Sequence, residues 1–135
     1  MTMNKKTSSL FAAAALLAAL ASAPALAQDT PSLSGAWKGK SDAIGKQPGF
    51  TTGDVTITVT EQQGRSFRAK VSYPSEKGEI SEDLIGTVTP DGKGIFLVGD
   101  DGIHLGTLSG ETLDVCYLET GDDAMAACSR LTKQP

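Results

Sequence analysis

Residues 54–60, Asp54-Val55-Thr56-Ile57-Thr58-Val59-Thr60, alternate branched apolar and threonine side chains without a break. In an extended chain successive side chains point to opposite faces, so Val55, Ile57 and Val59 share one face. Gln62-Gln63-Gly64-Arg65 reads as a turn. Ser66 to Tyr73 then alternates again, with Phe67, Ala69, Val71 and Tyr73 set against Arg68, Lys70 and Ser72. Two alternating runs joined by a glycine-containing turn predict an antiparallel hairpin.

The same pattern extends in both directions, and no helical period interrupts it after residue 27. Ser34 to Lys40 is a first strand, and 41–53, with Gly45, Pro48, Gly49 and Gly53, reads as a loop. Pro74 to Ser81 reads as a second polar loop. Leu84 to Val88, Ile95 to Val98, Ile103 to Leu108, Leu113 to Leu118 and Met125 to Thr132 complete eight short strands. Pro90-Asp91-Gly92-Lys93, Gly99-Asp100-Asp101-Gly102 and Ser109-Gly110-Glu111 separate them with turn chemistry. Eight neighbour-to-neighbour strands predict an all-β, eight-stranded antiparallel up-and-down barrel, with a two-sheet β-sandwich as the alternative.

Loop parity adds a polarity. Alternate connections of a meander lie at opposite ends, so 41–53, 74–81, 99–102 and 119–124 share one end. The tight turns at 62–65, 90–93 and 109–111 share the other. This predicts one open mouth and one pinched base, with Trp37 and Arg130 near each other at the base.

Residues 1–27 read as a secretory signal peptide. Lys5 and Lys6 form the positive region, Leu10 to Ala21 the apolar region, and Ala25-Leu26-Ala27 the cleavage site. Cleavage leaves 28–135 as a single domain, expected in the periplasm or outside the cell. Losing two lysines and no acid takes the formal net charge of -4 two units more negative. An acidic chain repels nucleic acid and tolerates cationic partners. No later apolar run approaches the ~20 residues that a membrane helix needs. Cys116 and Cys128 flank the turn-forming Thr120-Gly121-Asp122-Asp123, which predicts that they face each other across adjacent strands as a structural disulfide.

Gly35-Ala36-Trp37 in the first strand, with Arg130 in the last, resembles the calycin-type barrels of lipocalins and avidins. The resemblance implies that Trp37 plugs the base and that Arg130 packs over its ring. Strict alternation places Cys128 and Arg130 on the outer face, so Arg130 would have to curl around the base, or a bulge would have to shift its face. Biotin binders of the avidin type line their pocket with several tryptophans, and this chain has one. Gly86-Thr87-Val88, Asp91-Gly92-Lys93, Gly102-Ile103-His104-Leu105-Gly106, Cys116-Tyr117 and Ala127-Cys128-Ser129-Arg130-Leu131 also resemble a family of small exported bacterial proteins. That second resemblance brings no activity and no site.

Phe50, Tyr73, His104 and Tyr117 are expected to converge on the mouth, where aromatic rings either hold a small organic ligand or cap the core. Asp42, Glu76, Glu79, Asp100, Asp101, Glu119, Asp122 and Asp123 make that rim acidic. His104, the only histidine, reads as a partly exposed strand residue. It has no histidine or free-cysteine partner for a metal, and no serine stands in a nucleophile-elbow motif. No catalytic residue, metal site or cofactor is therefore expected. The expected function is non-catalytic binding of a small, partly apolar or cationic ligand. The alternative is an envelope interaction protein or an inhibitor of an exported enzyme. Outward apolar residues on the fourth to sixth strands add the prospect of a homo-oligomer.

Overall fold

The computed structural model describes residues 29–135, so the signal-peptide reading of 1–27 lies outside the described residues. The strands are β1 (Gly35–Gly45), β2 (Gly49–Gln63), β3 (Ser66–Ser75), β4 (Gly78–Val88), β5 (Gly94–Val98), β6 (Gly102–Ser109), β7 (Thr112–Glu119) and β8 (Met125–Lys133). Each pairs antiparallel with the next, and β1 pairs with β8, closing a barrel in chain order. Closure removes the free edges that a sandwich would retain. No helix among the described residues is long and apolar enough to cross a membrane.

Two predicted loops are strands instead. Most of 41–53 belongs to a long β1–β2 hairpin turning at 46–48, and most of 74–81 belongs to a β3–β4 hairpin turning at 76–77. The glycines that looked like breakers serve two purposes. Gly49 and Gly78, at φ 73° and 106°, make the tight turns. Gly45 and Gly53 sit inside strands, on the inward face. Parity survives this correction. Lys46 N–H donates to the Ala124 carbonyl, and Gln47 Nε2 donates to Asp123 Oδ1, so the first and last hairpin tips meet at one end.

The opposite end is plugged. Trp37, Ile57, Val59, Phe67, Val88, Ile95, Leu113 and Leu131 are buried there or just above it. Leu33, ahead of β1, folds beneath them and is also buried. Burying a leucine this fully contributes about 1.5–3 kcal/mol. Its backbone is fixed on both sides: the Trp37 indole Nε1 donates to the Leu33 carbonyl, and Leu33 N–H donates to Gln62 Oε1. Gln62 reaches this position through a bulge. The β2–β3 register shifts between Val59 and Glu61, which turns Gln62 to the inner face opposite Phe67.

Arg130 does not cover Trp37. Its neighbour Leu131 faces inward, so Arg130 faces outward, where its guanidinium grips Asp114 through two hydrogen bonds of 2.7 and 2.8 Å. The cation over the Trp37 ring is Lys133, which pairs with Trp37 across the β1–β8 seam and lies 5.6 Å from the ring centroid. The Cys116–Cys128 disulfide spans β7 and β8 on the outer wall.

Candidate functional site

Register assigns the upper inner wall residue by residue. Val71 and Leu84 point inward and are buried, so two positions toward the mouth Tyr73 and Glu82 also point inward. His104 lies opposite the buried Leu97 on one side and Tyr117 on the other, so both His104 and Tyr117 face inward. Glu119 continues the same face of β7. Across the lumen the inward positions are Ser41, Ala43 and Gly45 on β1, Thr51, Gly53 and Val55 on β2, and Met125, Ala127 and Ser129 on β8. One wall thus carries rings and carboxylates, and the other carries mostly small residues, with Thr51 and Met125 at its rim and the Met125 thioether lying over Gly45. Ser41, Ala43, Gly53, Ala127 and Ser129 are only half-buried, whereas most inward apolar residues nearer the base are fully buried, with Val55 and Leu108 packed part-buried against them.

The bulky wall is ordered by local contacts. The Tyr117 ring lies across Gly102, where a β-carbon would stand 2.6 Å from Tyr117 Cε2. The rings of Tyr117 and His104 are tilted at 43° with centroids 4.8 Å apart. Tyr117 donates its hydroxyl to Glu119 Oε2 at 2.9 Å. Glu82 Oε1 accepts the Asp100 N–H at 2.8 Å, which folds the β5–β6 turn over the lumen.

Negative charge dominates the electrostatics. The Tyr73 hydroxyl titrates above its ordinary value, first because of burial and then because of Glu82, Asp101 and Glu119. Tyr117 is raised much further by burial, by its bond to Glu119, and by the charges of Glu119, Glu82 and Asp101. The same three carboxylates therefore act on both phenols. The ion pairs among the described residues are Lys40–Asp54, Arg68–Glu61, Lys70–Asp83 and Arg130–Asp114, and none includes these three acids. Burial alone pushes the His104 imidazole down to about 4, so it is neutral at physiological pH. Its Nδ1 is buried without a hydrogen-bond partner.

Three of the four expected ligand residues, Tyr73, His104 and Tyr117, thus share the mouth. Phe50 does not. It pairs with Ile44 on the outer face of the β1–β2 hairpin and is 89% exposed. Reading 41–53 as a loop left the facing of Phe50 undefined, whereas a continuous strand fixes it outward by alternation. His104 is not the partly exposed residue expected of it, being only 7% exposed. Glu82 was missed as a lumen residue because the fourth strand was begun at Leu84, whereas β4 starts at Gly78. Counting back two positions from Leu84 would have found it. Among the described residues, no three His, Cys, Asp or Glu side chains group to hold a metal ion.

The outer wall has its own pattern. Phe50, Ile44, Ala126, Leu118, Ile103, Val98 and Ile85 are successive cross-strand partners and form an apolar row around the barrel. A groove of about 520 Å³ on this wall is lined by Arg68, Ile85, Phe96 and Val98, away from the mouth. No protein-family model matches the chain, and no curated protein matches it either.

Proposed function

We propose that this chain is an exported, non-catalytic binding protein of calycin-like type that takes a small, partly apolar or cationic ligand into the barrel mouth. The observation that carries this reading is the asymmetry of the upper lumen. Tyr73, Glu82, Tyr117 and Glu119 share the inner face with His104, opposite a wall of mostly small residues, Ser41, Ala43, Gly53 and Ala127, rimmed by Thr51 and Met125. An eight-stranded barrel is wide enough for side chains or for one small ligand. Here the base takes the first option and the mouth is suited to the second. The disulfide fits an oxidising compartment, in keeping with export.

Native mass spectrometry of the protein isolated from its own source tests this reading. A retained small molecule that is lost in Tyr117→Ala is the expected result. An apo mass, with no binding by Tyr117-dependent thermal shift across a broad metabolite set, would overturn it. A second reading, an interaction protein or inhibitor of an exported enzyme, is favoured by the outward apolar row. Cross-linking in the periplasm that yields no product dependent on Leu118 and Ile103 counts against it.

A further inference from the structure

The mouth does not use the most apolar part of the outer wall. Ile85, Phe96, Val98, Ile103, Leu105 and Leu118 are each 41–57% exposed and stand in two adjacent rows across β4 to β7. Ile85, Val98, Ile103 and Leu118 are successive cross-strand partners in one row, and Thr87, Phe96, Leu105 and Cys116 in the other. Neither row carries a charge over these four strands. The six apolar side chains offer on the order of 500 Å² to solvent, at the upper end for a monomer's largest patch. That is more than half of the roughly 800 Å² that each partner of a standard interface contributes, and the bordering polar residues supply the remainder. Charges in the ladder beside the face are already neutralised: Arg68, next to Ile85, pairs with Glu61, and Asp114, next to Thr107, pairs with Arg130.

We infer that this face packs against the same face of a second copy of the chain, about a two-fold axis running across the strands through the Leu97–His104 pair. Self-association sets a surface against itself, so the face must be complementary to its own rotated image. This axis exchanges the two rows. Phe96 of one copy meets Val98 of the other, and Leu105 meets Ile103. Ile85, the most exposed of the six, meets Thr87 of the second copy, in the groove of about 520 Å³ that Arg68, Ile85, Thr87, Phe96 and Val98 line. The axis also matches charge. Lys93 stands four residues before Leu97 and Asp101 four residues after it. Both are exposed, and neither forms an ion pair among the described residues. The rotation brings each Lys93 to Asp101 of the other copy, twice per dimer. An axis along the strands would instead set the Asp100-Asp101 tips of the two copies side by side, with like charges opposed. An unrelated partner gives no reason for charges that balance under the face's own two-fold, and a second copy does.

Sedimentation velocity of the protein purified from its own source, over a wide concentration range, tests this. A dimer is the expected species, and a monomer at every concentration up to about 100 μM overturns the inference. Phe96→Glu and Ile103→Glu should each weaken the dimer by at least about a hundredfold, the scale of a charge placed at an interface centre. Phe50→Ser, on the outer wall away from the face, should leave it intact. A dimer indifferent to Phe96→Glu uses another face and overturns the proposal. Charge reversal tests the axis with substitutions at exposed turn residues that spare the core. Lys93→Glu and Asp101→Lys should each weaken the dimer by about tenfold, and the two together should restore it. Weakening without restoration overturns the axis. A native mass that shows a different protein released by Phe96→Glu also overturns the assignment of a second copy. Tyr117→Ala should leave the dimer unchanged, so this inference and the reading of the mouth fail separately.

Discussion

Acidification should weaken this protein through one side chain. His104 titrates near 6.5 when unfolded and at about 4 in the barrel, where burial disfavours its charged form. Between those values the unfolded chain holds a proton that the folded chain refuses. Stability from the neutral imidazole is therefore complete above the unfolded value and drains away as pH falls toward the folded one. The gap corresponds to about 3 kcal/mol in all, of which about 2.5 kcal/mol is lost between roughly pH 7.5 and pH 4.5. For a domain this size that is a fall of roughly 10–15 °C in Tm. Thermal unfolding by circular dichroism at closely spaced pH values reads it directly. His104→Gln, which cannot titrate, should flatten the slope over this window. Carboxylates also take up protons toward the acid end, and the difference between the two proteins isolates the imidazole. A wild-type Tm that is level across the window, or a His104→Gln slope as steep as wild type, would show that the imidazole is not held in a desolvated site.

Two further perturbations probe the frame. Replacing Cys116 with Ser opens a loop with a sequence separation of 12. This should cost about 3 kcal/mol by the chain-entropy relation, and an unchanged Tm after reduction of the native protein would make the staple irrelevant. Neighbouring residues of β8 should respond in opposite ways. Leu131→Ala, in the sealed base, should cost about 2–5 kcal/mol in chemical denaturation. Arg130→Ala, which loses only its exposed grip on Asp114, should leave the midpoint close to wild type. A large loss from Arg130→Ala would restore the base-packing role that the calycin resemblance implied.

The readable parts of this chain were the local ones. The Val55-Ile57-Val59 alternation, the Asp91-Gly92 turn and the Cys116/Cys128 spacing each depend on residues a few positions apart, and each appears in the barrel as a strand face, a turn and a disulfide. Where reading failed, a distant partner had set the facing. Gly53 looked like a loop residue until β1 ran alongside it as a partner strand. Gln62 looked like part of a turn until the bulge in β2 turned it inward to hold Leu33. Lys133, not Arg130, reaches the Trp37 ring because the β8-to-β1 register places it there.

The sequence by itself determined the class of fold, the strand order and the distinction between a mouth end and a base end. Alternation and turn chemistry act over a few residues and survive without any knowledge of the rest. Only the tertiary structure decided the full membership of the inner face at the mouth, excluding Phe50 and bringing in Glu82. Tyr73, Glu82, His104, Tyr117 and Glu119 come from four strands, and they meet because closure of the barrel curls those strands around one lumen. A one-residue change in register or facing reverses which side chains enter that lumen. The facing is set by pairing across the whole ring, which no single segment encodes.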